Sequence, residues 1–258
     1  MKTFFVASDI HGFFTEWQDA LKEKGFDANN PEHIIIVCGD LLDRGGEAKR
    51  TVDFAYEMFN SNRFIFVRGN HEDLFKEMVV RGDVLEHDVS NGTADTIYQL
   101  AKNKSTIWYD FSYDPKWDFL LNNTINYYET EHYIFVHGWI PTKRQEIPWY
   151  QIKDNHFEYN PDWRNSTNDE WYASRWVNGM DMWHHKIKEP DKTIVCGHWH
   201  CSWGWSHLDQ KRPEFPQKNK KNWAASFEPY AKDGILAIDA CTAYTKIVNV
   251  IRLEEDQL

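Results

Sequence analysis

The chain has little cysteine and none of it is paired in sequence. Cys38, Cys196, Cys201 and Cys241 are the only four among 258 residues, and none forms a C-x-x-C. That spacing argues against a disulfide framework. Cys38 and Cys196 each close an apolar run just before a glycine, where a small thiol packs well. No apolar stretch approaches the roughly 18 residues that a membrane span needs. The apolar start, Met1 to Ala7, is too short for a signal-peptide core, and Asp9 ends it. A cytoplasmic, reducing location is the expectation. Positive charge is also scarce: 29 Lys and Arg stand against 40 Asp and Glu, a net charge of -11. Duplex nucleic acid demands clustered cations, so neither it nor a membrane is an expected partner. Repeats and low-complexity tracts are missing as well. What remains is ample for a folded core: 41% of residues are hydrophobic and 16% aromatic. A chain of this length buries roughly 70–75% of its unfolded surface.

Apolar runs alternate with helical patterns through the first third. Phe4–Ser8, Ile34–Cys38 and Phe64–Val67 read as strands. Between them, Thr15–Lys24 and Ala48–Phe59 carry helical spacing, with Thr15 as the expected N-cap of the first; Glu72 to about Val80 should form a third helix. This β-α-β-α-β-α order predicts parallel strands with crossover helices. Tyr133–Val136 and Thr193–Cys196 read as further strands, and Ile235–Ile238 with Ile247–Ile251 as a closing antiparallel pair. The fold class is therefore α/β with mixed sheets. One domain over 1–258 is expected, with a cap-like insertion at about 139–190. That insertion is rich in aromatics, including Trp139, Trp149, Tyr150, Trp163, Trp171 and Trp176, and lacks strong strand runs, so it reads as helices and loops. Lys211–Lys221 reads as an exposed loop.

Strand end after strand end terminates in a group able to hold a metal. Asp9 and His11 alternate along extended chain, so both can face one ion. Asp40, after the second strand, has two oxygens and can bridge a pair of ions about 3.5–4 Å apart. Asn70 offers a neutral amide oxygen, and His137 and His198 offer imidazole nitrogen. His200 shares a face with His198 in extended backbone and can complete the first ion's shell. Taken singly, each residue has a plainer use: a helix cap, a turn, a satisfied histidine. The joint pattern points to a binuclear site of hard oxygen and imidazole ligands acting on a phosphate.

Two blocks carry a family resemblance. Gly39-Asp40-Leu41-Leu42-Asp43-Arg44-Gly45 fits G-D-x-[VL]-D-R-G, and Arg68-Gly69-Asn70-His71-Glu72 fits R-G-N-H-E. With Asp9-Ile10-His11-Gly12, His137-Gly138 and Gly197-His198-Trp199-His200, the sequence resembles the metallophosphoesterase, or calcineurin-like phosphoesterase, superfamily, and within it the phosphoprotein phosphatase branch. The resemblance implies a two-sheet sandwich flanked by helices, with the metals at one edge. It implies Asp9, His11 and bridging Asp40 on one ion, Asn70, His137 and His198 on the other, and His200 on the first. It also implies His71 as general acid, oriented by Asp43, with a metal-bridging hydroxide as nucleophile. Arg44 is expected on the substrate phosphate, and Arg68 and Arg175 are candidates for the same contact. Trp139 replaces a second glycine after His137-Gly138, and its indole is expected to narrow the mouth of the site.

Such a ligand set admits manganese first, with iron, zinc or nickel as alternatives. The expected substrate is a phosphoserine or phosphothreonine protein. The alternative is a dinucleoside polyphosphate of the diadenosine tetraphosphate kind, and a non-catalytic phosphate-binding module stands third. The acidic balance disfavours a nuclease.

Overall fold

The N-terminal apolar runs fold as parallel strands. The computed structural model describes residues 1–101, 114–144, 157–211, 213–215 and 224–258. In it β1 (Thr3–Ala7), β2 (His33–Cys38) and β3 (Phe64–Val67) lie side by side, with Val6 opposite Ile36 and Ile36 opposite Ile65. Helices α1 (Phe14–Glu23) and α2 (Ala48–Asn60) make the crossovers, and α3 (Asn70–Arg81) follows β3. These bounds match the sequence pattern to within two residues. The head of α1 differs. Phe13, not Thr15, occupies the N-cap position. Thr15 donates instead from its backbone N and its Oγ1 to the Glu47 carboxylate, at 2.9 and 3.0 Å. It ties the start of α1 to the residue that opens α2.

Among the described residues three helices follow that hydrophobic pattern alone did not assign: α4 (Glu86–Asn91), α5 (Thr93–Leu100) and α6 (Pro115–Asn122). The chain then enters a second sheet through β4 (Tyr128–Glu129) and β5 (Tyr133–Phe135). After β6 (Lys143–Arg144) and β7 (Phe157–Glu158), which pair with each other, come helices α7 (Asn168–Ser174) and α8 (Gly179–His184). The later strands are β8 (Thr193–Cys196), β9 (Tyr230–Lys232), β10 (Ile235–Ala237) and β11 (Ile251–Glu254). The sheet orders are β11-β1-β2-β3 and β4-β5-β8-β10-β9. The expected closing hairpin is not formed. β10 pairs antiparallel with β9, while β11 crosses to the first sheet and pairs antiparallel with β1, Phe4 opposite Leu253. The cause lies between them: a helical turn at Thr242–Thr245 breaks the strand, and Val248 and Val250 already pack beneath the first sheet.

Side-chain alternation builds the sandwich. Phe4, Val6, Ile34, Ile36 and Cys38 face inward against Phe135, Val195 and Ile238 of the second sheet. Phe5, Ala7, Ile35 and Val37 point outward and meet Trp17, Leu21 and Val52 of the helices. Each fully buried aliphatic side chain contributes roughly 1.5–3 kcal/mol. The described parts of the segment, 139–144 and 157–190, contribute side chains to the outer face of the second sheet. Trp139, Trp163 and Trp171 are buried there with Ile134, Ile194 and Ile235. Trp149, Tyr150 and most of Lys211–Lys221 lie outside the described residues. No helix among the described residues is long and apolar enough to cross a membrane.

One polar network fastens this layer to the sheet. Arg164 donates to Glu129 at 2.8 Å and to Glu189 at 2.8 Å. Glu189 also accepts from Tyr159 at 2.6 Å and from Trp163 at 2.7 Å. Hydrogen bonds from Arg164 hold Glu129 down to about 2, with Lys192 adding to them. A carboxylate depressed in the folded state stabilises the fold above its unfolded value, and that stability is lost as pH falls toward the folded one. Wild type should therefore lose more stability than Glu129→Gln between pH 5 and pH 2, by on the order of 1–2 kcal/mol after screening. Urea unfolding at stepped pH measures this. Parallel losses in the two proteins would remove the network from the account.

Candidate active site

The strand ends turn sharply, and the turns carry the chemistry. Asp9, His11, Asp40 and His198 all have left-handed backbone, with φ of 50°, 53°, 55° and 66°, as do Asp43 and Arg44 at 75° and 65°. Each such position costs on the order of 1–3 kcal/mol for a residue other than glycine. The conformation is held by bonds between turns: Asp9 N to Gly39 O at 3.1 Å, His11 N to Asp40 O at 3.0 Å, and Gly45 N to His11 O at 2.8 Å. Glycine is needed where one turn closes on another. A Cβ on Gly69 would lie 2.2 Å from Asp40 Oδ1, and one on Gly197 would lie 2.1 Å from Asp9 Oδ2.

The result is a buried meeting of both sheets. Donor atoms of Asp40, His137 and His198 lie within 4.8 Å of one another, and so do those of His11, Asp40 and His71. Asp40 belongs to both groups. Its Oδ1 is 3.3 Å from His137 Nε2, and its Oδ2 is 3.8 Å from His11 Nε2. Asp9 Oδ1 is 4.0 Å from His11 Nε2, and Asn70 Oδ1 is 2.8 Å from His137 Nε2. The far nitrogens of the rings are engaged by backbone, which aims Nε2 at the centre. His11 Nδ1 bonds the Leu42 carbonyl and His137 Nδ1 the Cys38 carbonyl, both at 2.9 Å. The His198 ring is in polar contact with the backbone carbonyl of Trp176. Burial pushes His11 and His198 down to about 3, so both are neutral imidazoles at ordinary pH. Burial also opposes charge on His137, but the Asp40 and Asp9 carboxylates overcome it and push that ring up to about 10.

Two carboxylates organise the surroundings. Glu72 accepts from the backbone N–H groups of Asp40, Leu41 and Gly69, at 2.9, 2.9 and 2.7 Å. It locks the two motif turns together rather than facing substrate. Asp43 Oδ2 sits 2.7 Å from His71 Nδ1 and also accepts from Thr93 Oγ1 at 2.7 Å. His71 Nε2 points to the pocket, 3.1 Å from Arg44 Nη2. Burial alone would lower the His71 pKa, yet Asp40 and Asp43 more than offset it and the pKa is raised.

Three expected contacts are not assembled here. His200 borders the pocket, but its Nδ1 lies 2.7 Å from Ser202 Oγ and its Nε2 3.4 Å from Glu214, and it joins neither ligand group. Its backbone is extended where that of His198 is left-handed, so the face-sharing argument for the two residues does not hold. Arg68 and Arg175 line a neighbouring cleft of about 710 Å³ that does not include the ligand groups. Arg175 donates to Asp73 at 2.8 Å and to Asn126 at 2.7 Å, while Arg68 bonds Thr124 Oγ1 at 2.6 Å and the Leu121 carbonyl at 3.0 Å. Both guanidiniums are held in structure. Arg44 is the arginine in the pocket of the ligand groups. Trp139 does not narrow that pocket either: it is buried, with its indole N–H donating to the Ile187 carbonyl at 2.9 Å.

The structure adds Asp239, which sequence reasoning missed. It lies buried in the same pocket, two residues past β10, and burial beside Asp9 pushes its pKa well up. The signal was present, since Ile235–Ile238 is one more apolar run ending in an aspartate.

The donor set fits divalent cations. Buried carboxylates, imidazoles and an amide oxygen converge at separations from 2.8 Å, between Asn70 Oδ1 and His137 Nε2, to 4.0 Å, between Asp9 Oδ1 and His11 Nε2, with Asp40 common to both groups. When bound, two such ions supply charge neutralisation of phosphate oxygens and activation of water.

Comparison with known proteins agrees with this geometry. The profile of the calcineurin-like phosphoesterase family matches residues 2–229. The asymmetrical bis(5'-nucleosyl)-tetraphosphatase PrpE of Anoxybacillus flavithermus is 28% identical over 109 residues, 40% of this chain and 44% of that protein. The symmetrical bis(5'-nucleosyl)-tetraphosphatase of Buchnera aphidicola subsp. Schizaphis graminum is 25% identical over 134 residues, 46% of this chain and 47% of that one. The chain thus spans less than half the length of the curated relatives it matches. Among solved structures, the cold-active protein-tyrosine phosphatase of a Shewanella species superposes with a TM-score of 0.55 at 15% identity, covering 99% of this chain and 76% of that chain. The match to nearly the whole chain, on residues that meet in one buried pocket, places it in the calcineurin-like phosphoesterase family of phosphoester hydrolases.

Proposed function

We propose that the chain is a two-metal phosphomonoesterase whose leaving group is an aliphatic alkoxide. The observation that carries this is the Asp43–His71 pair at 2.7 Å, buried beside the ligand groups. An alkoxide is a poor leaving group, and a positioned acid lowers the barrier to its departure. Asp43 fixes the tautomer and keeps the proton on His71 Nδ1, leaving Nε2 to deliver its proton to the leaving oxygen. Arg44 grips phosphate oxygens beside it, where its planar fork suits bidentate contact. Asp9, His11, Asp40, Asn70, His137 and His198 hold the cations, with manganese the first metal to try. Phosphoserine and phosphothreonine in a protein meet this chemistry, which is the serine/threonine-type reading of the motifs. A nucleoside 5'-phosphate meets it equally.

A second reading, hydrolysis of a dinucleoside polyphosphate, is favoured by the names of the curated relatives. Its leaving group is a nucleotide, which needs little acid. Kinetics on a phosphoserine peptide, AMP and diadenosine tetraphosphate with manganese separate the two. The alkoxide reading expects kcat/KM on the better monoester to exceed that on the tetraphosphate by at least about tenfold, 1.4 kcal/mol. The reverse order, with ADP or ATP and AMP as products, would install the second reading.

A further inference from the structure

We infer that Trp176 forms a stacking platform for the base of a nucleoside phosphate at the rim of the catalytic pocket. This rests on the phosphomonoesterase reading and selects among its alcohols. The pocket is about 150 Å³. Sites that enclose a whole organic ligand run from roughly 300 Å³ upward. The enclosed space therefore takes the phosphoryl group, and the rest of the substrate lies along the rim.

Trp176 occupies that rim and is unlike the tryptophans behind it. Trp139, Trp163 and Trp171 are between 0 and 2% exposed, whereas Trp176 is 42% exposed and lines the pocket. It is also held in place. Its backbone N bonds the Ala173 carbonyl at 3.2 Å, and its indole is in polar contact with Tyr172. Its ring stands nearly perpendicular to that of His198, at 85° and 5.9 Å between centroids. A large aromatic surface fixed in water beside a phosphate site loses little entropy on stacking a planar group. Asn91 lines the same pocket and makes no side-chain hydrogen bond among the described residues, so its amide is available to a polar edge. A planar group with hydrogen-bonding edges, joined to phosphate through an alcohol, is a nucleoside phosphate.

The experiment compares AMP with ribose 5-phosphate, which share phosphate and leaving alcohol and differ only in the base. Wild type with manganese should favour AMP by about tenfold in kcat/KM, a stacking effect seen mainly in KM. Trp176→Ala should bring the ratio to within about twofold, and Trp176→Phe should keep most of it. Because the ratio is internal to each variant, a general loss through His198 cancels. Equal wild-type values for the two substrates, or an undiminished ratio in Trp176→Ala, would overturn the platform while the phosphomonoesterase reading stands. Turnover of a phosphoserine peptide without turnover of either ribose ester would do the same. Turnover of no alkyl phosphate would overturn both. Benzyl phosphate, whose leaving group is also an aliphatic alkoxide, provides the last arm: an equal gain over ribose 5-phosphate would replace the nucleoside with an arylmethyl phosphate.

Discussion

Asparagine in place of Asp40 is expected to lower turnover at least about a thousandfold and to abolish stoichiometric manganese binding. The change keeps the shape and keeps an oxygen to accept from the His71 backbone N–H, now 3.0 Å from Asp40 Oδ1. It removes the negative charge shared by both ligand groups. A cation in either group then loses an anionic donor, and among the proposed ligands only Asp9 keeps a carboxylate. Divalent ions contribute several kcal/mol of charge stabilisation in phosphoryl transfer, and about 4 kcal/mol is a thousandfold in rate. Equilibrium dialysis with metal analysis reads binding independently of activity. Two tightly held ions and near-normal rate in this variant would show that Asp40 is not the common ligand. The neighbouring Glu72→Gln provides contrast. Glu72 holds three backbone N–H groups and faces no donor centre, so its loss should tell on stability before metal content.

The sequence made this site legible because each half of the argument used a local rule. Apolar runs of four to six residues announce strands, and polar residues just past them sit at the edge where parallel strands end. Phe64–Val67 and Thr193–Cys196 have the bounds that pattern implies. The illegible parts depend on long-range partners. Nothing local distinguishes β11 as a partner of β1, 249 residues away at Phe4 and Leu253, from a hairpin partner of β10. The two outlying arginines show the same limit. Their charge and their place beside motif residues suit phosphate contact, yet Asp73, two positions past His71 on α3, draws Arg175 at 2.8 Å and has Arg68 within 3.6 Å. A counter-ion on the next turn of a helix is invisible until the helix is placed against its neighbours. Asp239 was missed for the opposite reason. Its local signal matched Asp9 and Asp40, but no motif drew attention to it.

His71→Asn should expose the acid role through its dependence on the leaving group. On AMP or a phosphoserine peptide, loss of a positioned general acid should reduce kcat by about 10²–10⁴-fold. On p-nitrophenyl phosphate, whose leaving group departs without a proton, the same variant should lose less than about tenfold. Asparagine retains the polar volume next to Asp43 and leaves Asp9, His11, Asp40, Asn70, His137 and His198 in place, so manganese content should hold. The pH dependence has a definite sign. Asp40 and Asp43 offset the effect of burial and raise the His71 pKa above its ordinary value, so the acid form persists further into the alkaline range. Rate on alkyl phosphates should fall as pH rises through that raised value, and Asp43→Asn should move the falling limb to lower pH. The p-nitrophenyl ester should show neither limb nor shift. Losses of equal size on both kinds of ester, with the alkaline limb unmoved in Asp43→Asn, would mean that the buried pair shapes the pocket and donates no proton.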